Sequence, residues 1–357
     1  MGGHEYRYVT SKNIGVGHLK LENIDMISER EHRKIFSRCD VRYGDLLLTK
    51  DGANTGNAAL STFVDEVSLL SSVAFIRCDP KVALESYVLH FLLSEAGHRQ
   101  ITDAMSGNAI TRLTLGKINA LTLPLPPFGE QHRISEILTD TDGLIRSLGR
   151  LIAKKQAIKQ GMMQQLLTGK TRLPGFTGDW VQKPLSELVS YEQPIRYLVS
   201  SADYGSTGTP VLTAGKTFIL GYTAETDSIY DALPVIIFDD FTTAAKFVSF
   251  PFKAKSSAMK MLTAKPGADL RFVYERMLHI NFVAVDHKRR WIDEYSKIGV
   301  AVPPMEEQQA ISSVIEDADC EIDALNHRLA ATQAIKQGMM QELLTGRTRL
   351  TPAGETE

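Results

Sequence analysis

Residues 156–173, QAIKQGMMQQLLTGKTRL, return almost unchanged at 333–350 as QAIKQGMMQELLTGRTRL. The offset is 177 positions, and only Gln165/Glu342 and Lys170/Arg347 differ. The same offset aligns two further pairs upstream, Pro126-Pro127 with Pro303-Pro304 and Glu130-Gln131 with Glu307-Gln308. The register is therefore continuous from 126 to 173. An internal duplication of this length decides the architecture of the chain.

Each copy predicts one long helix. A Pro-Pro pair opens the copy, where the missing proline N–H is tolerated, and an early glutamate suits the positive end of the helix dipole. Each copy closes on Leu-Leu-Thr-Gly, so that Gly169 and Gly346 are placed as left-handed caps. The pattern predicts two helices of about 38 residues, each ~57 Å long.

Both helices carry apolar side chains that step by four and three residues, which is a heptad seam. A long helix with one narrow apolar stripe favours a partner helix, and the other copy is the obvious partner. Parallel helices would require the intervening segment to span ~57 Å, so antiparallel pairing is predicted. The seam residues are Ile134, Leu138, Ile145, Leu148, Ile152, Ile311, Ile315, Ile322, Leu325 and Leu329.

The predicted fold class is α+β: two mixed α/β domains are separated by two long antiparallel helices that form a coiled coil with pseudo-twofold symmetry. The predicted boundaries are 1–125 for the first domain, 126–170 for the first helix, 171–302 for the second domain, 303–347 for the second helix and 348–357 for a tail.

Both globular segments contain a buried strand that runs into a polar loop. Residues 45–49 precede the loop 50–56, and 234–238 precede 239–246. One helix is predicted over 84–105. The second segment has residues 174–210 before the stretch VLTAGK (211–216), whereas the first segment reaches a similar stretch, YVTSKN (8–13), almost at its start. The first domain is therefore expected to be shortened at its N-terminus.

The composition is that of a globular protein, with 43% hydrophobic residues and a formal net charge of −2. Three widely spaced cysteines fit neither a disulfide framework nor a closed zinc site. The apolar runs are too short to cross a membrane and the N-terminus has no secretion signal, so a cytoplasmic protein is expected. Between 246 and 297 there are eleven Lys/Arg and five Asp/Glu. This excess fits either a phosphate-binding patch or an ordinary solvated surface.

None of the catalytic motifs considered is complete in this sequence. The sequence Leu125-Pro126-Pro127-Phe128 lacks the polar first residue that amino-methyltransferases use. Two Gly-Lys-Thr tripeptides, at 169 and 215, lack the earlier glycine of a P-loop. The histidines show no ligand spacing, and Asp239-Asp240 has no third group to complete a metal site.

The chain resembles the specificity (S) subunit of type I restriction-modification systems. The resemblance rests on LPPFGEQ (125–131) and VPPMEEQ (302–308) opening the helices, on the duplicated IKQGMMQxLLTG closing them, and on IIFDDFTT (236–243). It covers nearly the whole chain. The resemblance implies a non-catalytic subunit whose two target-recognition domains each read half of a split double-stranded DNA site.

The resemblance also implies partners. Two modification subunits would dock on the helices and methylate adenine with S-adenosylmethionine, and restriction/motor subunits would use ATP and Mg²⁺, so no cofactor is expected on this chain and no membrane partner either. Two alternatives stay open: a coiled-coil scaffold whose end domains bind proteins, and a stand-alone enzyme.

Polar residues in the loops are the candidates for DNA contact. Arginine and asparagine can form paired hydrogen bonds with guanine and adenine, and lysine and serine suit phosphate oxygens. The candidates are Lys12, Asn13, Lys50, Asn54, Thr55, Asn108, Arg112, Lys216, Thr242, Thr243, Lys246, Lys255, Lys260, Lys288, Arg289 and Arg290.

Overall fold

The structure, a computed structural model, describes residues 5–105, 112–215, 217–280, 282 and 290–350. The chain divides into two compact units. Unit 1 comprises residues 1–151 and 325–357, and unit 2 comprises residues 152–324. Each unit therefore combines one globular domain with the beginning of one long helix and the end of the other.

Unit 1 contains two three-stranded sheets, ordered β2-β1-β5 and β4-β3-β6. Its strands are β1 (Glu5–Val9), β2 (Asp25–Ser28), β3 (Leu46–Thr49), β4 (Ala58–Leu60), β5 (Val67–Leu69) and β6 (Val73–Ile76). Its helices are α1 (Glu29–Phe36), α2 (Glu85–Leu93), α3 (Glu95–Met105), α4 (Leu115–Asn119) and the first part of α5 (Phe128–Leu166).

Unit 2 contains the end of α5 and sheets ordered β10-β9-β13, β12-β11-β14-β8 and β15-β7. Its strands are β7 (Val181–Pro184), β8 (Val189–Glu192), β9 (Thr209–Leu212), β10 (Ile219–Thr223), β11 (Val235–Asp239), β12 (Ala245–Val248), β13 (Lys253–Ala254), β14 (Met259–Ala264) and β15 (Gly299–Val302). Its helices are α6 (Leu185–Leu188), α7 (Leu270–Leu278) and the first part of α8 (Met305–Leu343). Short 3-10 helices lie at Ser11–Asn13, Pro194–Tyr197 and Tyr295–Lys297.

The two domains share a topology. In each, the first strand of the domain sheet pairs antiparallel with its successor and parallel with a later strand, as β1 does with β2 and β5, and β9 with β10 and β13. A fully buried strand, β3 or β11, lies between two antiparallel neighbours. Both buried strands lie where the apolar runs predict them. Unit 2 adds β8 to the outer edge of β14.

The helix predicted over 84–105 is two helices. The chain turns out of the helical conformation at Ser94, whose ψ is 164° and whose hydroxyl donates to the Phe91 carbonyl at 2.6 Å. A Cβ atom on Gly97 would lie 2.1 Å from that carbonyl oxygen, so only glycine permits this close approach. The prediction was wrong because apolar spacing continues across the break.

Each long helix has 39 residues and begins directly after its Pro-Pro pair. The predicted left-handed caps are confirmed, since Gly169 and Gly346 have φ values of 69° and 74°. None of the helices in the described residues combines the length and the apolarity of a membrane span.

The Glu-Gln pair at the start of each long helix has a structural role. The Gln131 amide accepts from Leu84 N–H at 3.0 Å and donates to the carbonyls of Val82 and Pro126. In unit 2 the Gln308 amide makes the same three bonds, to Asp269 N–H and to the carbonyls of Gly267 and Pro303. Leu84 and Asp269 are the N-cap residues of α2 and α7. One amide thus fixes a domain helix to a long helix in each unit.

The glutamates of these pairs, Glu130 and Glu307, each bind an arginine just beyond the C-terminal end of the other long helix. In unit 1, Glu130 at the start of α5 binds Arg349, beyond the end of α8, at 2.7 Å. In unit 2, Glu307 at the start of α8 binds Arg172, beyond the end of α5, at 2.5 Å. Hydrogen bonds from Arg349 lower the pKa of Glu130 below its usual value. In each unit the two helix segments therefore run in opposite directions.

Two further pairs repeat at the 177 offset. Lys336 binds Asp142 at 2.6 Å in unit 1, and Lys159 binds Asp319 in unit 2. Along the predicted seam seven of the ten residues are buried, and Ile145, Leu325 and Leu329 are half-buried. Towards the helix ends the buried apolar side chains are Met163, Leu166, Met340 and Leu343.

A buried histidine links α2 to the long helices in unit 1. His90 shares a hydrogen bond of 3.1 Å with the Thr139 hydroxyl, and its Nδ1 lies 4.0 Å from Asp142, which also binds Lys336. Burial lowers the pKa of His90 to about 4; Lys336 lowers it further and Asp142 opposes the shift.

We expect this histidine to make unit 1 sensitive to acid. Because the folded pKa is below the ordinary value of about 6.5, the unfolded chain takes up a proton first as the pH falls, and stability is lost between pH 6.5 and 4. The difference corresponds to about 3 kcal/mol. Urea denaturation followed by circular dichroism should show this loss in the parent chain and a smaller loss in His90→Gln. An identical pH dependence in both would contradict the assignment.

Candidate nucleic-acid interface

In unit 1, three separate loops meet at the carboxyl end of β3. The 50–55 turn follows β3, and its Asn54 amide donates to the carbonyl of Ser11, in the loop after β1, at 3.4 Å. The N–H of Leu113 donates to the Lys50 carbonyl at 3.0 Å, which brings Arg112 to the same turn. Arg112 then pairs with Asp51 at 3.5 Å.

The cluster presents more positive than negative charge. Lys12, Asn54 and Arg112 are exposed, and Lys50 is half-buried. Burial lowers the pKa of Lys50 below its usual value, and the neighbouring charge of Arg112 lowers it further, against the effect of Asp51. Arg112 and Lys50 lie near Asp51, and the joined loops also carry Lys12 and the exposed Asn54 amide. Such a set can bind phosphate oxygens and a base edge together.

In unit 2 the corresponding turn is a strained hairpin between β11 and β12. Asp239 accepts from the Phe241 N–H at 2.9 Å and from the Thr242 hydroxyl at 2.6 Å. Thr243 has a φ of 61°, a conformation that a β-branched residue rarely adopts. Such strain persists only where the surroundings impose it, and it is concentrated at functional sites.

Asp240 ties this hairpin to the chain that precedes β15. Its carboxylate accepts from the N–H groups of Arg290 and Trp291 at 3.1 and 2.9 Å, and it lies 3.4 Å from Lys260 Nζ. The Arg290 N–H also donates to the Asp240 carbonyl at 3.0 Å. The Leu113 bond to the Lys50 carbonyl in unit 1 is the equivalent contact, because Leu113 and Arg290 are 177 positions apart and Lys50 and Asp240 each directly follow the central buried strand. The two domains therefore assemble their loops in the same way.

A cavity of about 360 Å³ opens beside the unit 2 hairpin. Three chain segments line it, and they are the loop after β9, the hairpin and the turn before β14. The lining residues are Thr213, Ala214, Gly215, Asp239, Phe241, Ser256 and Ala258. Exposed Lys255 lies next in sequence, with its Nζ 5.4 Å from the centre of the Tyr204 ring. The arrangement combines an apolar floor, polar groups and a nearby cation.

Three candidate DNA contacts are internal. Asn13 is 4% exposed and its side chain bonds with Thr10 and with the Lys20 carbonyl, so it caps a turn. Lys260 is 1% exposed because its side chain points inward from β14 to Asp240. Arg290 is 2% exposed and pairs with Glu294 at 3.0 Å. These positions were wrong as DNA-facing residues, because residue type does not reveal which side of a strand or turn a group occupies.

The remaining candidates differ in position. Lys12, Asn54, Arg112, Thr242, Lys246 and Lys255 are exposed, and Lys50, Thr55 and Thr243 are half-buried. The hydroxyls of Thr55 and Thr243 donate to the carbonyls of Gly52 and Thr242. Asn108, Lys216, Lys288 and Arg289 lie outside the described residues. DNA contact by the exposed residues stays a prediction.

The charge excess at 246–297 is not one surface patch. Lys253 is 1% exposed and binds Glu225 at 2.5 Å, outside the counted segment. Arg271 pairs with Glu275 and Asp319, and Arg276 donates to the Leu167 carbonyl. Lys260 and Arg290 are also engaged, and Lys265 donates to the Ser186 carbonyl, so that six of the nine described cations are bound within unit 2.

The sequence does not reveal the role of Asp240, because the Asp239-Asp240 pair suggests only half of a metal site. No group of three His, Cys, Asp or Glu in the described part of the chain could hold a metal ion. Lysines in otherwise apolar strands, as at 253 and 260, were the available signal that a buried carboxylate lay nearby.

Comparison with known proteins shows what this chain resembles. Residues 11–157 match the family model of the type I restriction modification DNA specificity domain. Over 138 residues the chain is 54% identical to the Escherichia coli type I restriction enzyme EcoR124I/EcoR124II specificity subunit, covering 37% of this chain and 34% of that protein. The chain therefore spans about a third of the length of that relative.

Two broader matches extend over most of the chain. A Methanocaldococcus jannaschii protein, provisionally named the type I restriction enzyme MjaX specificity subunit, is 24% identical over 303 residues, with 76% of this chain and 70% of the relative covered. The crystal structure of the type I restriction-modification system S subunit from M. genitalium shares the fold, with a TM-score of 0.65, 14% identity, and coverage of 95% and 88%. Over residues 11–157 the chain is therefore similar to the type I restriction modification DNA specificity domain, and over most of its length it is similar to type I specificity subunits.

Proposed function

We propose that this chain is the DNA-reading subunit of a type I restriction-modification enzyme, with each domain reading one half of a bipartite double-stranded site. The observation that carries the proposal is the repeated loop cluster. In both units the turn after the central buried strand is joined by a backbone hydrogen bond to the segment that follows Arg112 or Arg289. Two equivalent reading surfaces in one polypeptide suit a site with two halves.

The long helices fit the role of a spacer. Seam burial and the ion pairs repeated at the 177 offset support an antiparallel coiled coil with pseudo-twofold symmetry. On this proposal the two modification subunits dock on the helices, and restriction/motor subunits join the same assembly. S-adenosylmethionine, ATP and Mg²⁺ act on those partners, this chain is non-catalytic, and the complex works on DNA in the cytoplasm.

The direct test is a mobility-shift titration of the chain with modification subunits present, over a library of DNA duplexes. Selective binding to a split sequence is expected, with an affinity that falls steeply as salt rises because phosphate contacts release counterions. Equal binding to every duplex would refute the proposal. Binding of proteins but not of DNA would favour the coiled-coil scaffold instead, and methyl transfer or DNA cleavage by the isolated chain would favour a stand-alone enzyme.

The spacer role makes a geometric prediction. Seven residues inserted after Leu151 and seven after Ala324 preserve the heptad register and lengthen each helix by ~10.5 Å. At ~3.4 Å per base pair, the gap between the two recognised halves should grow by about three base pairs. Methylated-site sequencing with parent and variant subunits gives the gap directly. If the variant methylates sites with the parental gap, the helices do not set the spacing.

A further inference from the structure

In unit 2, the chain that leaves α5 returns to cover a slot at the helix end. The Trp180 ring lies 3.5 Å from the position of a Cβ atom on Gly169, and the Arg172 guanidinium lies 5.8 Å from the ring centre. Phe272 contacts the ring edge-on at a centroid distance of 6.1 Å. Helix end, arginine and domain helix thus form three walls around one aromatic side chain.

In unit 1 the equivalent residues enclose a cavity. Gly346 and Arg349 stand at the 177 offset from Gly169 and Arg172, and Tyr87 lies three residues after its helix cap, as Phe272 does. These three, with residues 124–126, Glu130 and Leu343, line about 150 Å³. A cavity of roughly this volume can hold one aromatic ring. A Cβ atom on Gly346 meets no heavy atom within 4 Å, and the Arg349 side chain is 58% exposed against 28% for Arg172.

The chain beyond Trp180 forms β7, which pairs antiparallel with β15. The Leu185 N–H donates to the Ile298 carbonyl at 3.1 Å. Because every second residue of an antiparallel strand bonds to the neighbouring strand, Val300 and Val302 are the next residues of β15 in hydrogen-bonded positions. Their unit 1 equivalents are Leu123 and Leu125. Pro124 lies between them, at a position that does not bond to the neighbouring strand, so its missing N–H does not disturb the pairing.

The backbone at 122–125 is held in a conformation that leaves its ladder N–H groups available to an added strand. Gln100 bonds both the N–H and the carbonyl of Thr122, at 3.0 and 2.8 Å, and the Tyr87 hydroxyl donates to the Pro124 carbonyl at 2.9 Å. These groups all lie at positions that the strand pairing leaves unbonded. The N–H groups of Leu123 and Leu125, which the pairing would use, form no hydrogen bond with the described residues.

Strand β6 offers a second unpaired strand edge in unit 1. In unit 2 the segment continues through α6 into β8, which pairs with β14, while Leu185, Leu188 and Val189 are fully buried. The unit 1 counterpart of β14 is β6, the outer strand of its sheet. Phe75, Ile76 and Cys78, on and just after β6, remain half-buried.

We propose that unit 1 is a docking site for an extended segment of a partner polypeptide that carries an aromatic residue followed by leucines five and eight positions later, the pattern of Trp180, Leu185 and Leu188. The aromatic ring enters the cavity beside Gly346, and the following residues add strands to 122–125 and β6. This is binding by β-strand addition, in which backbone bonds supply affinity and one side-chain pocket supplies specificity.

The tail sequence of this chain does not carry the required aromatic residue at the aligned position. The 177 offset sets residues 351–357, TPAGETE, against 174–180, PGFTGDW, so that Glu357 stands where Trp180 does. A carboxylate lacks the ring surface with which Trp180 packs against Gly169, Arg172 and Phe272 in unit 2. The segment 174–192 of this chain has the required chemistry and serves as the probe. Because the site involves no DNA, its failure and that of the proposed function are distinguishable.

The test is fluorescence anisotropy of a fluorescein-labelled 174–192 peptide titrated with the full chain. We expect saturable binding, weakened at least about tenfold in a Trp180→Ala peptide by the loss of ring burial. In the chain, Leu125→Pro removes a ladder N–H and should weaken binding by about tenfold, whereas Leu125→Ala keeps the N–H and should bind more tightly than Leu125→Pro. Circular dichroism checks that both variants fold.

A peptide with p-benzoylphenylalanine in place of Trp180 localises the site. Photo-crosslinks should map to 124–130 or 343–349. Absence of saturable binding, equal affinity of the Trp180→Ala peptide, or crosslinks only at the unit 2 slot would each overturn the proposal.

Discussion

Replacing Asp240 with alanine is expected to lower the free energy of unfolding of unit 2 by about 3 to 5 kcal/mol. The side chains of Asp240 and Lys260 are 2% and 1% exposed, so removing the carboxylate leaves a buried ammonium without its counter-charge. The N–H groups of Arg290 and Trp291 lose their side-chain acceptor at the same time. Both tryptophans of the chain, Trp180 and Trp291, lie in unit 2, so urea denaturation followed by tryptophan emission reports on this unit.

A double substitution separates the charge from the hydrogen bonds. Asp240→Asn with Lys260→Met retains an acceptor for the two N–H groups and removes both charges, and replacement of a buried pair by uncharged groups is often close to neutral. This variant should recover most of the stability that Asp240→Ala loses. If it is as unstable as Asp240→Ala, the ion pair is not the reason for the loss.

Removing the three cations of the unit 1 loop cluster is expected to abolish selective reading of one half-site. Arg112 in contact with a base is worth about 1 to 3 kcal/mol, and each phosphate contact adds about one to the slope of log affinity against log salt. Lys12→Ala, Lys50→Ala and Arg112→Ala together should therefore weaken binding, and the loss of the two lysine phosphate contacts should reduce that slope by about two. Mobility-shift titrations at several salt concentrations give both quantities.

A matched variant controls for net charge. Arg30→Ala, Lys34→Ala and Arg38→Ala remove three exposed cations on and just after α1, in the same unit and away from the described loop cluster. Its affinity and salt slope should stay close to those of the parent chain. Equal losses in the two triple variants would mean that general charge, and not the loop cluster, attracts the DNA.

Local sequence patterns were sufficient for the skeleton of this protein. The duplicated helices, their glycine caps and the buried strands β3 and β11 follow from signals within a few residues of each position: apolar spacing, proline and glycine placement, and unbroken apolar runs. The repeat added one long-range relation: residues 177 positions apart in the two copies are expected to have equivalent surroundings. The break at Ser94 escaped because it depends on a carbonyl that approaches Gly97, which no periodicity records.

The candidate site could be predicted only in part. The polar loops after β3 and β11 were identified, because an apolar run that ends in polar residues marks a strand leading to the surface. Whether a given lysine in them reaches solvent depended on partners distant in sequence, such as Glu225 for Lys253.

By itself, the sequence determined that this chain has two like halves, each built from a long helix and a mixed domain with a polar loop beyond a buried strand. Tertiary structure alone decided that Lys253, Lys260 and Arg290 are internal and that Gln131 and Gln308 fix domain helices to long helices. It also decided that the ring-sized slot that Trp180 fills in unit 2 is left unfilled by the described residues of unit 1. The physical reason is that helix and strand preferences are set by neighbouring residues, whereas the burial of a charge, an amide or a cavity depends on groups that folding brings from far along the chain.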